Sequence, residues 1–462
     1  MEFIVRLISR AYGLLWGDLI TLPLPGGGSI GLSLLVLLLI PTGIFFTIRT
    51  RFLPVRLFPE MLRLTVEKRG TNGSAISGLQ ALVISTATRV GMGNLIGVVA
   101  AISAGGAGAV FWMWLSALIG SSTAFVEATL AQLHKQPDPL YGVYRGGPAY
   151  YIHDFLAKGR RKSVIAVLFA ISGLICWCGI SQVISNSVSS AFYNAFSVPP
   201  LYTTVALVAV SAVIVLRKHA TVKVLDVLVP IMAGLYFLMT IFLIVKNAAL
   251  LPSVFSQIFE EAFGIRQAVA GGFGAVLMQG VKRGLFSNEA GSGSAPCAAA
   301  AADITHPAKA GLLQAFGVFL DTIVICSCTA MIMLLTPAET IAGLSGMDLL
   351  QTAMDYHLGS FGVVFIALIL LLFSFSTFIG VLFYARSNVA YLFGDNWASQ
   401  TAYKVLALVM LFVGGLAAYT FVWDLGDVGI GLMTVFNIAV IIPMSKEALA
   451  SLREYESARK KR

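Results

Sequence analysis

Two strings of residues could do chemistry in an otherwise apolar chain. The first runs Ser85-Thr86-Ala87-Thr88-Arg89-Val90-Gly91-Met92-Gly93-Asn94 and then returns to apolar residues from Leu95 to Ile102. The second runs Arg283-Gly284-Leu285-Phe286-Ser287-Asn288-Glu289-Ala290-Gly291-Ser292-Gly293-Ser294 and resumes through an alanine run. Glycine and polar residues this dense interrupt a helix. An unwound turn frees N–H and C=O groups that lipid cannot satisfy but a polar cavity can use. The N-terminal end of a half-helix carries partial positive charge and suits a carboxylate. Freed carbonyls with nearby hydroxyls suit a dehydrated sodium ion. The chemistry expected is therefore binding. The chain offers no zinc motif, Walker loop or GxSxG elbow and no assembled pair of catalytic carboxylates, so an enzyme is not expected.

Charged residues accompany both strings. Arg89 and Glu289 lie within them, Lys282 and Arg283 just before or at the start of the second, and Glu127 and Asp321 in other apolar stretches. A charge at membrane depth costs about 2.5–3.5 kcal/mol on insertion scales unless paired or wetted. Two readings stay open for Arg89, Glu127, Arg283 and Glu289: a gating or coupling network along a pathway, or internal salt bridges that hold the breaks in shape. Similar depth suggests Arg89 paired with Glu289 or Glu127.

The elements that must position these groups follow from composition. Of 462 residues 58% are hydrophobic and only 11% charged, with a mean hydropathy of +0.87. A soluble domain carries roughly 25% charged residues, so most of this surface must face lipid. Apolar stretches of roughly 18 residues or more, each enough to cross a bilayer core, are expected near 29–48, 77–104, 108–133, 164–192, 200–217, 222–246, 267–302, 309–336, 360–385, 403–421 and 425–443. They must be helices, and the alternation of a membrane barrel is absent.

With eleven spans, one face receives most of the 31 basic residues. That asymmetry places the C-terminus in the cytoplasm and the N-terminus outside, in a plasma (inner) membrane. The net charge of +9 then needs no nucleic acid. The Arg459-Lys460-Lys461-Arg462 tail suits anionic lipid. Residues 1–20 show no cleavable signal and read as an amphipathic interfacial helix. Cys176, Cys178, Cys297, Cys326 and Cys328 lack metal-site spacing and read as packing. Trp112 and Trp114 read as interface anchors, Gly414-Gly415 as close helix packing. The five histidines are scattered and suggest no proton relay.

Four spans separate the two interrupted ones, which puts five in each half. Because five is odd, the second half inserts upside down. Paired broken helices at matching positions of inverted halves point to the binding site of a secondary transporter. The divisions expected are 1–28 as an extracytoplasmic interfacial segment, 29–76 as an extra span and loop, 77–246 and 247–443 as the two repeats, and 444–462 as a basic tail.

The strings and their surroundings resemble the alanine or glycine:cation symporter family. The matching stretches are Val90 to Val98, Gly108-Ala109-Val110-Phe111-Trp112-Met113-Trp114, Gly146-Gly147-Pro148-Ala149-Tyr150-Tyr151-Ile152, Arg283 to Pro296, and Phe373-Ser374-Phe375-Ser376-Thr377. The resemblance spans roughly residues 70–445. It implies an all-α polytopic protein with the five-plus-five inverted repeat of the bacterial leucine transporter, and sodium-driven uptake of small neutral amino acids without a cofactor. Backbone N–H groups of Met92 and Gly93 would hold the substrate carboxylate, and backbone around Phe286 to Gly291 would meet the ammonium. The implied pocket takes in Gly91, Asn94, Ser287, Asn288 and Thr377. One sodium would sit between carbonyls of Ala87 and Val90 and the hydroxyls of Ser376 and Thr377, beside Phe373. Three positions depart from the family pattern: Val381 stands where Trp is usual, Ile184 where Gln is common, and Arg386 where Glu is usual. Losing Trp and Gln enlarges the pocket and removes a polar contact, so the substrate expected is a small neutral amino acid of the alanine or glycine type or, given these two positions, a larger neutral one. The alternatives are a proton-coupled carrier and, further off, a channel or solute sensor.

Overall fold

Long runs of Leu, Ala, Val and Phe close their backbone hydrogen bonds within each segment, the solution that lipid imposes on a spanning chain. The computed structural model describes all residues except 1, 24–28, 67–76, 158–161, 218–220, 265–271, 418 and 461–462. The end of the expected basic tail, Lys461-Arg462, and the start of the span expected from 267 lie outside the described residues. Seven described helices are long and apolar enough to cross a membrane. Leu34–Arg49 and Pro200–Val215 are shorter, at 16 residues each, or about 24 Å at 1.5 Å per residue. The two interrupted strings divide what a sliding average reads as single spans. Helix length alone therefore supports seven of the eleven expected crossings.

In chain order the helices that matter here are α1 (Glu2–Trp16), α2 (Leu34–Arg49), α3 (Gly78–Arg89), α4 (Val98–Gly105) and α5 (Gly108–Leu133). They are followed by α6 (Val164–Phe196), α7 (Pro200–Val215), α8 (Thr221–Lys246), α9 (Leu251–Ala262), α10 (Gly272–Asn288) and α11 (Pro296–Ala301). The last are α12 (Pro307–Val318), α13 (Ser327–Leu334), α14 (Gly346–Leu358), α15 (Ser360–Phe393), α16 (Trp397–Leu416) and α17 (Tyr419–Lys460).

One local expectation is corrected, and two local features add to the expectations. The span expected from residue 29 begins at Leu34, because Ser29–Ser33 pairs as an antiparallel strand with Asp18–Pro23. The Ser33 hydroxyl then caps α2 by accepting from the Val36 N–H at 3.3 Å. The segment after 443 continues as helix to Lys460 and docks on the short helix Phe58–Thr65, where the Tyr455 hydroxyl donates to Glu60 at 2.5 Å. Trp112 and Trp114 anchor on protein: their indole N–H groups donate to the Ala262 carbonyl at 3.0 Å and the Ser327 hydroxyl at 2.8 Å.

Glycine decides where helices touch. A Cβ on Gly179 of α6 would lie 2.4 Å from the Gly426 nitrogen of α17, and one on Gly429 2.4 Å from the Cys176 Cα, so these two long helices meet backbone to backbone. Gly414 does the same on α16, where a Cβ would lie 2.2 Å from the Gln182 Cα. Large apolar side chains such as Val205, Val213, Leu238 and Phe242 are exposed on α7 and α8, as a lipid-facing surface requires.

Candidate functional site

The first break is short. The Val90 N–H still reaches back to the Thr86 carbonyl at 2.6 Å, but its ψ of 72° takes the chain out of the helix. The Asn94 side-chain oxygen accepts from the freed Gly91 N–H at 2.9 Å, and the Thr377 hydroxyl of α15 accepts from the Met92 N–H at 3.2 Å. Gly93–Gly97 then form a π turn that leads into α4. Such widened turns re-aim side chains and recur at functional sites. Gly93 faces the second break so closely that a Cβ would lie 3.4 Å from the Ser287 Cα.

The second break, between α10 and α11, is longer. Glu289 has a φ of 57°, and Gly291 and Gly293 have φ values of 97° and 81°. Glycine takes that left-handed region freely; holding Glu289 there costs about 1–3 kcal/mol. Neighbours hold it. The Tyr384 hydroxyl donates to the Glu289 carboxylate at 3.3 Å. Glu127 accepts from the Gly291 N–H at 3.1 Å, while Asn437 donates to the Gly291 carbonyl at 3.0 Å and also to Glu127. Tyr151 in turn donates to the Asn437 oxygen at 2.5 Å. Glu127 thus stands in for a helical partner that the break removes. At the far end of α11, Lys135 and Gln132 donate to the Ala302 carbonyl at 2.8 and 2.9 Å. A cation suits that negative helix end, and burial holds the Lys135 ammonium below the usual lysine range.

Both breaks converge on one carboxylate. Between α12 and α13, Phe319–Cys326 form a second π turn that carries the fully buried Asp321. The Asn94 amide of the first break donates to Asp321 Oδ1 at 2.7 Å. The Ser287 hydroxyl of the second break donates to Oδ2 at 2.8 Å, as does the Thr322 hydroxyl. Asn288 reaches the same cluster through Thr322 at 3.2 Å, and the Cys326 sulfur lies 3.2 Å from Asn94 Nδ2 and 3.0 Å from the Ser287 hydroxyl. The groups donating to this carboxylate are neutral. A buried charge still costs several kcal/mol after relaxation, and the Arg89 guanidinium offsets part of that cost through space.

The structure brings Gly91, Met92, Gly93, Asn94, Phe286, Ser287, Asn288 and Thr377 together. The Met92 N–H, expected to hold a substrate carboxylate, is occupied by Thr377. Val381 lies one turn beyond Thr377 on the same face of α15 and is buried, as are Phe373 and, on α6, Ile184. The Ser376 hydroxyl donates to the Phe373 carbonyl at 2.8 Å. Val90 ends α3, and Ala87 lies within it, its side chain outside the description. Arg89 Nη1 donates to the backbone and side-chain oxygens of Gln314, both at 3.1 Å.

Arg283 lies on a different side of Phe286. Its guanidinium sits 4.2 Å over the Trp423 ring, and that ring lies 4.8 Å from Phe286. Asp427 binds Lys282 Nζ at 2.6 Å and Arg283 Nη1 at 3.3 Å, and Lys282 also donates to Tyr12 of α1 at 2.6 Å. Sequence reasoning missed Asp427 and Asn437, and noted Asp321 without joining it to the site. A carboxylate opening the last apolar stretch, with a basic pair in another, was the available signal for Asp427.

The chain matches the model of the sodium:alanine symporter family over residues 27–462. It is 43% identical over 431 residues to the probable sodium/glutamine symporter GlnT of Bacillus subtilis (strain 168), covering 93% of this chain and 89% of that protein. It is 33% identical over 433 residues to the sodium/alanine symporter AgcS of Methanococcus maripaludis, covering 92% and 95%. Among solved structures it superposes on MhsT in complex with L-phenylalanine with a TM-score of 0.58 at 16% identity, over 82% of this chain and 93% of that one. That likeness establishes a shared fold, of the leucine-transporter type. The family consists of transporters, not enzymes, and discontinuous helices are a recurring feature of secondary transporters. With its family match running over nearly its whole length, the chain belongs to the sodium:alanine symporter family.

Proposed function

We propose that this chain is a sodium-coupled symporter of neutral amino acids with a binding site between its two broken helices. The observation that carries this reading is the convergence of Asn94 and Ser287, one from each break, on the buried Asp321. A cation beside this carboxylate compensates its charge and draws the breaks together, so that ion and substrate favour the same state, which is what coupling requires. The substrate bridges backbone around Met92–Gly93 and Phe286–Gly291. A sodium ion between the Ala87 and Val90 carbonyls and the Ser376 and Thr377 hydroxyls orders the first break. Eleven spans, arranged as a five-plus-five inverted repeat with the N-terminus outside and the C-terminus cytoplasmic, provide alternating access in the plasma membrane as one helix bundle rocks against the other.

Val381 and Ile184 put aliphatic side chains where the family pattern has Trp and Gln, which favours a wider, more apolar pocket, and the relative at 43% identity carries a glutamine name where the one at 33% carries an alanine name. We assign a neutral amino acid of glutamine size rather than alanine. A second reading has one specific support: the same buried Asp321 carboxylate is a group that could take up a proton. Uptake of tritiated L-glutamine and L-alanine into proteoliposomes separates the two. Sodium coupling requires uptake that follows an inward sodium gradient and stops when choline replaces sodium. Uptake that persists in choline and follows a proton gradient establishes the second reading. If neither gradient drives amino-acid uptake, both fail.

A further inference from the structure

A groove of about 650 Å³ opens on the outside of the bundle, where α6, α16 and the last turn of α15 meet beside Leu425 of α17. Its walls are hydrocarbon. Ile171 and Ile175 of α6, Phe393 of α15 and Leu406 of α16 line it and are exposed. The hydroxyls that reach it are already committed: Tyr403 donates to the Leu174 carbonyl at 3.0 Å, and Ser399 to the Asn396 carbonyl at 3.1 Å. The groove therefore suits an apolar body. Lipid tails are as apolar as these side chains, so packing alone does not choose among lipids. Any choice must come from the rim.

Along α16 the lining runs from Ser399, near the start of the helix, to Met410. That is about 16 Å at 1.5 Å per residue, close to half of a hydrocarbon core of about 30 Å. The groove thus follows one leaflet from its surface toward the midplane. A cation stands at the shallow end. Lys162 Nζ donates to the carbonyl of the lining residue Leu392 at 2.8 Å and lies 5.8 Å from the centre of the Tyr391 ring. A lysine there answers the negative end of α15, but that role uses one of three ammonium donors. Lys162 is exposed and both of these contacts are neutral, so its charge is left for an anion. In sequence it closes the run Lys158-Gly159-Arg160-Arg161-Lys162 that leads into α6. Four basic residues beside a spanning helix favour anionic head groups.

We propose that this groove is a binding site for one anionic phospholipid taken from the adjoining leaflet. One acyl chain lies along α16 between Phe393 and Leu425, and the phosphate head group pairs with Lys162. A zwitterionic phospholipid fits the groove equally well, so the charge at the rim sets the preference. The site is separate from the one between the broken helices and does not depend on which solute the protein carries.

Native mass spectrometry of the full chain in detergent, titrated with dioleoyl phosphatidylglycerol or dioleoyl phosphatidylcholine, tests it. The wild-type chain should retain one phosphatidylglycerol with a Kd about fivefold or more below that for phosphatidylcholine. Lys162→Gln, an exposed change that spares the core, should weaken phosphatidylglycerol about fivefold and leave phosphatidylcholine unchanged. Ala402→Trp, which fills the groove from α16, should weaken both lipids about tenfold. Equal Kd values for the two lipids in wild type overturn the proposal. So does phosphatidylglycerol binding by K162Q that matches wild type, which removes the head-group contact, or by A402W, which removes the acyl-chain seat.

Discussion

Asp321 matters because hydrogen bonds offset a buried charge only in part. Asp321→Asn keeps the size of the side chain and removes the charge. A charge-assisted contact is worth about 1.5–3 kcal/mol, so this variant should weaken the apparent affinity for the coupling ion roughly tenfold to a hundredfold, read from the sodium dependence of initial uptake rates. Thr377 acts differently: its hydroxyl reaches the Met92 N–H and orders the first break. Thr377→Ala should raise the sodium requirement more than the substrate requirement, and equal effects on the two would count against an ion site there. Val381 lies one turn away on the same helix. Val381→Trp should fill the pocket and favour L-alanine over L-glutamine in a competition assay; an unchanged ratio would place Val381 away from the substrate. At this scale Asn94, Ser287 and Asn288 were legible as polar residues inside interrupted helices. Asp321 was legible only as a charge at depth, since nothing in linear order says which of several buried carboxylates faces the breaks.

Helices here are held by what their interruptions and glycines allow. α10 carries Lys282 and Arg283, both held by Asp427 of α17, with α1 laid against the group through Tyr12 and through the Trp16 N–H, which donates to the Asp427 carbonyl at 3.0 Å. Breaking such a pair from one side strands a buried charge, at about 3–5 kcal/mol. Asp427→Ala should therefore lower the melting temperature in detergent substantially, and Lys282→Met combined with Asp427→Leu should recover much of the loss. A double variant no more stable than D427A would mean that Arg283 alone decides the cost. The interrupted helices could be read from the sequence because their glycine and polar content is local. The strand Ser29–Ser33 could not, because its apolar residues read equally well as the start of a span until Asp18–Pro23 arrives to pair with it.

At the level of the whole molecule, one end of the fold is laced shut by charge. Arg386, one of the three residues that depart from the family pattern, lies 3.3 Å from the buried Asp138 and stacks 4.3 Å over Tyr141. Arg145 of the adjoining strand Val143–Arg145 pairs with Asp395. Basic residues cluster at this end, so it should face the cytoplasm. Fluorescent-protein fusions after Arg462 should fluoresce and phosphatase fusions there should stay inactive; the reverse pattern would invert the topology.

Composition and periodicity by themselves determined that this chain is helical, apolar enough to span a membrane several times, and interrupted in two of its helices, because each of those properties is set by residues near each other in the chain. The meeting of the two breaks on Asp321, the binding of Glu127 to the Gly291 backbone rather than to Arg89, and the pairing of Lys282 with Asp427 belong to the tertiary structure. Each depends on which faces of distant helices touch, and that is decided by backbone contacts such as Gly179 on Gly426, which a linear pattern cannot assign to a partner.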